Sequence, residues 1–334
     1  MLNLYPWQQS QWQQVLTAAA RKMLPHALLL TGPEGTGLGH FAACLAARLL
    51  CVQPDDAGAA CGKCKTCVLY TAGNHPDFMQ LQPEEKGKQI RIDVIREMID
   101  FIHLSSQYER YKVVVIEPAD AMNRSAANSL LKTLEEPPPD SLLLLLSHRP
   151  SFLPVTIRSR CQRINFNPGG TEQALAWLQA QLGGEAADYA GVLAMTRGGP
   201  LKVMEIFREG HESYPRLLLE DLKEIHNGSA DPVRTAERWQ GWGVTEVLQW
   251  LVLYFCRMAR YKLSAVPAEQ NNSMIFGYLQ ELANDLDLNQ AVACYDLALK
   301  HYHAATGPIA LNKQGLLEDI IVYWQHMNQR GKQT

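Results

Sequence analysis

"HALLLTGPEGTGLGHFAACLAARLLC", residues 26–51, decides the fold. A short apolar run (26–31) leads into a glycine-rich turn (31–40), and the following segment (41–51) has the small and apolar spacing of a helix. Strand, glycine turn and helix, in that order, build a phosphate-binding loop. In the pattern G-x-x-x-x-G-K-[ST], backbone N–H groups wrap the phosphates, the lysine reaches the β/γ oxygens and the hydroxyl holds Mg²⁺. Gly32 and Gly37 keep the spacing, but Leu38 stands where the lysine belongs and Gly39 where the hydroxyl belongs.

Further along the chain, "DFMQLQ" (77–82) alternates like a strand, 90–104 reads as an amphipathic helix, and "YKVVVIE" (111–117) reads as a buried strand. A helix over 123–136 is stopped by Pro137, Pro138 and Pro139, and strands follow at 141–147 and about 161–166. Strands alternating with helices predict a doubly wound parallel sheet. "NPGG" (167–170) punctuates the chain. Three short helical segments then run to about 209, separated by glycine pairs at 183–184 and 198–199, and only helical periodicity appears beyond 211. In phosphate-loop ATPases the strand corresponding to 112–116 ends in an aspartate for Mg²⁺. Here it ends in Glu117 and Pro118, so the second nucleotide element departs from its pattern as the first does.

The 334 residues suggest two or three domains, and 47% hydrophobic against 19% charged content is ordinary for a globular protein. With 31 basic and 34 acidic residues the formal net charge is −3, so no global field draws the chain to nucleic acid or membrane. The start "MLNLYPWQQSQWQQ" lacks the features of a signal peptide, and the apolar stretch at 250–256 is far shorter than the roughly 18 residues of a membrane span. A soluble, cytoplasmic protein with no membrane contact is expected.

Four of the eight cysteines, Cys51, Cys61, Cys64 and Cys67, fall within seventeen residues. Two C-x-x-C steps sharing Cys64, with a fourth cysteine nearby, can set four thiolates around a structural Zn²⁺. Free thiols and an iron–sulfur cluster are the competing readings. Cys44, Cys161, Cys256 and Cys294 read as scattered core residues. Trp239, Trp242 and Trp250 read as core or interface residues, His301 and His303 as surface positions on different helix faces, and Glu135 and Glu136 as a solvated helix end.

The stretches "SAANSLLKTLEEPP" (125–138) and "LPVTIRSRCQ" (153–162), together with a four-cysteine insert after a phosphate-loop-like element, resemble the clamp-loader subunits of bacterial DNA polymerase III, members of the AAA+ superfamily. The likeness covers about the first 210 residues with specific motifs. Within that family the catalytic gamma/tau subunits keep "GK[ST]" and "DE". The chain is similar instead to the subunit type that lacks them, as "YPW" at residues 5–7 and the length without a long extension also indicate. Leu201 stands where gamma-type subunits carry a sensor arginine, Ser147 and His148 fall at a polar sensor, and "SRC" (159–161) is intact.

The resemblance implies an AAA+-like α/β domain with a four-cysteine zinc module at 1–167, a small helical lid at 168–210 and a helical C-terminal collar domain at 211–334. It implies a hetero-oligomer with gamma/tau and delta subunits that places the sliding clamp on primed DNA, as part of the DNA-directed DNA polymerase III holoenzyme. Arg160 is then an arginine finger for ATP held by a neighbour. No intrinsic ATPase activity or productive ATP binding is expected, because about four negative charges would be poorly compensated without the loop lysine, Mg²⁺ hydroxyl and sensor arginine. The alternatives are an active AAA+ ATPase with an unusual loop, and a zinc-dependent DNA-binding protein. Against the second, Lys63 and Lys65 are the sole basic residues of the cysteine loop.

Overall fold

The computed structural model describes residues 3–55, 58–85, 88–166, 171–184, 186–263, 274–306 and 312–331. The chain divides into two compact units, one of residues 1–177 with 198–202, the other of residues 178–197 with 203–334. The punctuation read at 167–170 lies outside the described residues.

The first unit contains α1 (Gln9–Ala20), β1 (Ala27–Thr31), α2 (Leu38–Leu50), α3 (Lys65–Thr71), β2 (Phe78–Leu81), α4 (Ile92–His103), β3 (Lys112–Ile116), α5 (Arg124–Glu135), β4 (Ser141–Ser147), α6 (Val155–Arg158) and β5 (Gln162–Asn165). The five strands make one parallel sheet in the order β2-β3-β4-β1-β5, with Leu29 of β1 in register between Leu145 and Arg163. Every residue of β1, β3 and β4 is buried, the pattern of strands covered on both faces. Because successive side chains alternate, Leu28, Leu30, Val113, Val115, Leu142 and Leu144 pack with Trp12 of α1 and Phe41 and Leu45 of α2. Leu29, Val114, Leu143 and Leu145 face the other way, toward Ile95 and Met98 of α4 and Leu130 of α5.

Local chemistry sets the ends of these elements. Asn123 caps α5 by accepting from the Ala126 N–H at 2.8 Å, and the three prolines after Glu136 prevent continuation. At the start of β3, buried Lys112 lies 3.4 Å from the fully buried Asp77 carboxylate and over the Phe101 ring, whose centroid is 4.1 Å away. Asp77 also accepts from the Ser106 hydroxyl and the Gln107 N–H, so this interior ion pair is hydrogen-bonded as burial requires.

Nine helices follow β5: α7 (Thr171–Leu182), α8 (Ala186–Met195), α9 (Pro200–Arg208), α10 (Tyr214–His226), α11 (Pro232–Gly241), α12 (Val244–Leu263), α13 (Met274–Asn284), α14 (Leu288–Thr306) and α15 (Lys313–Gly331), counted among the described residues. The second unit's core gathers Trp239, Tyr254, Phe255 and Trp324, all fully buried. Three polar tips in this core find partners: Trp239 Nε1 donates to Asp221 Oδ2, Tyr254 Oη to the Pro215 carbonyl and Trp324 Nε1 to the Leu222 carbonyl, each at 2.7 Å. Trp242 and Trp250 pack at the margin of the same core. His301 is not a surface residue as its sequence suggested: it is buried and lies 2.7 Å from Asp319 Oδ2 of α15. Spacing separates the faces of residues 301 and 303, but which face turns inward is set by the neighbouring helix.

Candidate functional site

The glycine loop joins β1 to α2. Gly35 and Gly37 take left-handed φ values of 80° and 79°, which glycine adopts without strain. A Cβ on Gly32 would stand 2.5 Å from the Phe166 carbonyl oxygen, so this glycine permits close packing against the end of the sheet. The loop's own carbonyls are occupied by side chains from the start of the chain. Trp7 Nε1 donates to Thr36 O at 2.9 Å, and Gln8 Nε2 to Thr36 O at 3.0 Å and Gly37 O at 2.9 Å. Tyr5 stacks on Trp7 with ring centroids 4.9 Å apart, and Trp177 meets both rings edge-on. Residues 198–202 close on the loop as well: the Leu201 N–H donates to Gly35 O at 3.0 Å, and a Cβ on Gly199 would stand 2.0 Å from Glu34 O.

The two positions that depart from the ATPase pattern differ in surroundings. Leu38 is 1% exposed and belongs to the core beside β1 and β4. Gly39 faces Glu117, whose Oε1 would lie 2.7 Å from a Cβ added there. Burial raises the Glu117 carboxyl above its ordinary pKa, and the positive character of His148 opposes that rise. His148 is fixed by its Nδ1–H, which donates to the Gly32 carbonyl at 2.8 Å. Ser147 is buried and donates to Asp120 Oδ1 at 2.6 Å, so this hydroxyl is engaged within the sheet end.

Arg160 lies just beyond α6, away from this chain's glycine loop in the sequence, and its guanidinium pairs with Glu135 at the end of α5. Nε lies 2.8 Å and Nη2 2.5 Å from Glu135 Oε1, while Nη1 donates to Thr156 O at 3.0 Å. The pair remains about a third and a half exposed. Of the neighbouring arginines, Arg163 donates to Thr31 Oγ1 at 2.9 Å and Arg149 pairs with Asp120 at 3.0 Å.

The four cysteines running from the end of α2 to the first turn of α3 converge. The four sulfurs of Cys51, Cys61, Cys64 and Cys67 all lie within 4.8 Å of one another, with Cys51–Cys64 at 3.8 Å and Cys61–Cys67 at 3.9 Å. Ligands about 2.3 Å from a tetrahedral centre are about 3.8 Å apart, so this set can hold one metal ion. The Cys61 N–H points at Cys51 Sγ and the Cys64 N–H at Cys61 Sγ, donors that favour thiolates. Burial opposes ionisation of Cys64, yet hydrogen bonds from the Thr66 hydroxyl and from the backbone at Cys67 and Val52 bring its thiol down to about 5. Burial pushes the Cys67 thiol up, and Cys64 and Cys51 add to that rise.

Several neighbours carried no sequence signal of their own. Gln8 reaches the glycine loop from a distant position, Trp177 meets the Tyr5 and Trp7 rings, and Glu135 is the partner of Arg160 although the sequence reads it as a solvated end. Their roles arise where separate elements meet, which periodicity along one element does not report. No helix among the described residues is long and apolar enough to cross a membrane.

Comparison with known proteins bears on the family of the chain. A family model described as "DNA polymerase III, delta subunit" matches residues 7–169. The chain is 36% identical to DNA polymerase III subunit delta' of Pseudomonas aeruginosa, an alignment covering 97% of this chain and 98% of the relative. It is 26% identical to DNA polymerase III subunit delta' of Escherichia coli strain K12, covering 99% of this chain and 98% of the relative. A third similarity, 35% to DNA polymerase III subunit delta' of Haemophilus influenzae, covers 63% of each chain.

Proposed function

Since the chain belongs to the family of DNA polymerase III delta' subunits, and is so a clamp-loader subunit, we propose that it works without an ATPase cycle of its own and completes the ATP site of a neighbour. The observation that carries this reading is the state of the glycine loop. Where an ATPase needs a lysine there is a core leucine, Leu38, and where it needs a hydroxyl there is Gly39 with the Glu117 carboxylate against it. Both changes remove compensation for phosphate charge, and the second brings a carboxyl group close to the same position.

In this reading Gly32, Gly37, Leu38 and Gly39 form a structural turn, and Arg160 supplies positive charge in trans to ATP bound by an adjacent subunit. The pairing with Glu135 holds the guanidinium at the edge of the domain until an anion of higher charge competes for it. Cys51, Cys61, Cys64 and Cys67 hold a structural Zn²⁺, which binds loop ends together and has no open position for substrate. The proposed partners are gamma/tau and delta subunits, with the sliding clamp and primed DNA reached through the complex, in the bacterial cytoplasm. The division into an α/β domain at 1–167, a lid at 168–210 and a collar at 211–334 belongs to the same proposal.

Two measurements test it. Titration of the purified chain with labelled ATP should give no saturable binding in the micromolar range, and steady hydrolysis abolished by loop substitutions would instead favour an active ATPase. Mixing the chain with delta and gamma/tau subunits should give a larger species on sizing, and a persistent monomer across salt concentrations would overturn the assembly reading.

A further inference from the structure

Two arginines stand beside the cysteine cluster, and neither takes part in the function proposed above. Arg48 lies in the last turn of α2, three residues before Cys51, so it lies near the Cys51 side of that helix end. Arg110, just before β3, donates from Nη2 to the Cys51 carbonyl at 2.7 Å. Arg110 therefore reaches the residue that closes the cluster, and Arg48 stands one turn before it on α2. Both Nε atoms are buried and have no hydrogen-bond partner among the described residues.

Two half-buried guanidiniums near one another repel each other and lose part of their hydration, a cost that nearby negative charge offsets. Burial disfavours the charged Arg48 most, the charge of Arg110 opposes it as well, and Cys51 and Asp55 favour it. Asp55 is exposed, so its carboxylate is screened by solvent. Four thiolates around one divalent zinc carry a net charge of about −2, equal and opposite to two guanidiniums.

We propose that Arg48 and Arg110 are the outer-shell counter-cations of the four-cysteine centre, neutralising the dianion made when Cys51, Cys61, Cys64 and Cys67 bind Zn²⁺. The inference rests on the zinc reading of those cysteines. Neutralisation lowers the cost of keeping four thiolates side by side, so zinc is held more tightly and the sulfurs are less readily protonated.

The test uses the full chain with Arg48→Met, Arg110→Met, Arg110→Gln and the two lysine variants, each compared with wild type. Zinc affinity is read by competition with a chelating dye, and thermal midpoints are recorded for the zinc-loaded and the metal-free, reduced protein. Each neutral variant should weaken zinc binding about 10- to 100-fold, the usual effect of removing an outer-shell partner. Arg110→Gln keeps a donor for the Cys51 carbonyl while removing the charge, and should weaken zinc as Arg110→Met does. Arg48→Lys and Arg110→Lys should retain most of the affinity.

The midpoint should fall in the zinc-loaded neutral variants and hold or rise in the metal-free ones, where the arginines repel each other without an offsetting dianion. Equal falls in both states would show packing roles and overturn the proposal, as would wild-type zinc affinity in Arg48→Met and Arg110→Gln. Wild-type protein without zinc would overturn the metal reading itself, a result distinguishable from loss of the arginine effect alone.

Discussion

The Arg160 guanidinium meets Glu135 through Nε at 2.8 Å and Nη2 at 2.5 Å, joining the second residue after α6 to the last residue of α5. An ion pair exposed to this degree contributes about 0–1 kcal/mol, because solvent screens it and two side chains must be ordered. The pair is therefore weak enough to exchange Glu135 for a phosphate group, which offers more charge and more acceptors to the same fork.

Arg160→Ala separates these roles. Stability of the isolated chain should change by about 1 kcal/mol or less. In a complex reconstituted with its partners, assembly should persist while DNA- and clamp-stimulated ATP hydrolysis and clamp loading fall. At the affected site the loss has an upper range of about 10³–10⁵, the contribution of arginine fingers in other NTPases. Unchanged loading by a correctly assembled mutant would leave Arg160 a structural role only. Glu135→Gln should preserve loading, since it frees the arginine.

Repair of the glycine loop should fail. Leu38→Lys places an ammonium at a position 1% exposed, and Gly39→Thr sets a side chain where Glu117 Oε1 is 2.7 Å from the Cβ position. Leaving an unpaired charge buried costs about 3–5 kcal/mol in comparable cases, whereas the flexible Glu117 tip can move aside for the threonine. The double mutant should melt well below wild type and show no ATP turnover. Turnover in a stably folded double mutant would show that only the two side chains had been missing.

The parallel sheet was legible because its central strands are continuous apolar runs and because 26–51 combines strand, glycine turn and helix in the order such a sheet requires. The four cysteines were legible for a related reason: their short spacings bring ligands together locally, and the sulfurs do converge. Distant pairings were not legible. Nothing in the run 123–136 distinguishes Glu135 as the partner of Arg160, and nothing near residues 5–8 indicates that Gln8 bonds the loop carbonyls at Thr36 and Gly37. His301 shows the same limit, since its burial depends on Asp319 of a different helix. Periodicity reports a face, and packing decides what that face meets.

Cys64→Ser should remove the metal. Wild-type protein should contain one zinc per chain by elemental analysis, and the variant far less, because three thiolates bind less tightly than four. The linked stabilisation should disappear with it, about 2.7 kcal/mol where free zinc exceeds the dissociation constant 100-fold. Chelator treatment of wild type should reproduce the lower thermal midpoint without further effect on the variant. Iron with visible absorbance would point to a cluster instead.

Glu117 should leave a signature in the pH dependence of stability. Burial raises its carboxyl above the ordinary value of 4.5 in the folded chain, with His148 opposing the rise. The folded state therefore holds its proton to higher pH than the unfolded state does. Stability contributed at this site is greatest below the unfolded value, falls as pH rises through the interval up to the folded value, and is constant above it. Glu117→Gln keeps the shape and removes the titration, so the stability difference, variant minus wild type, should grow from about pH 4 and level off once the folded carboxyl is ionised. Urea unfolding of both proteins across pH 4–8 measures that difference directly. A difference that stays flat, or that shrinks as pH rises, would mean that the carboxylate is stabilised in its place beside Gly39 and His148, and that the burial penalty assigned to it is offset by other groups.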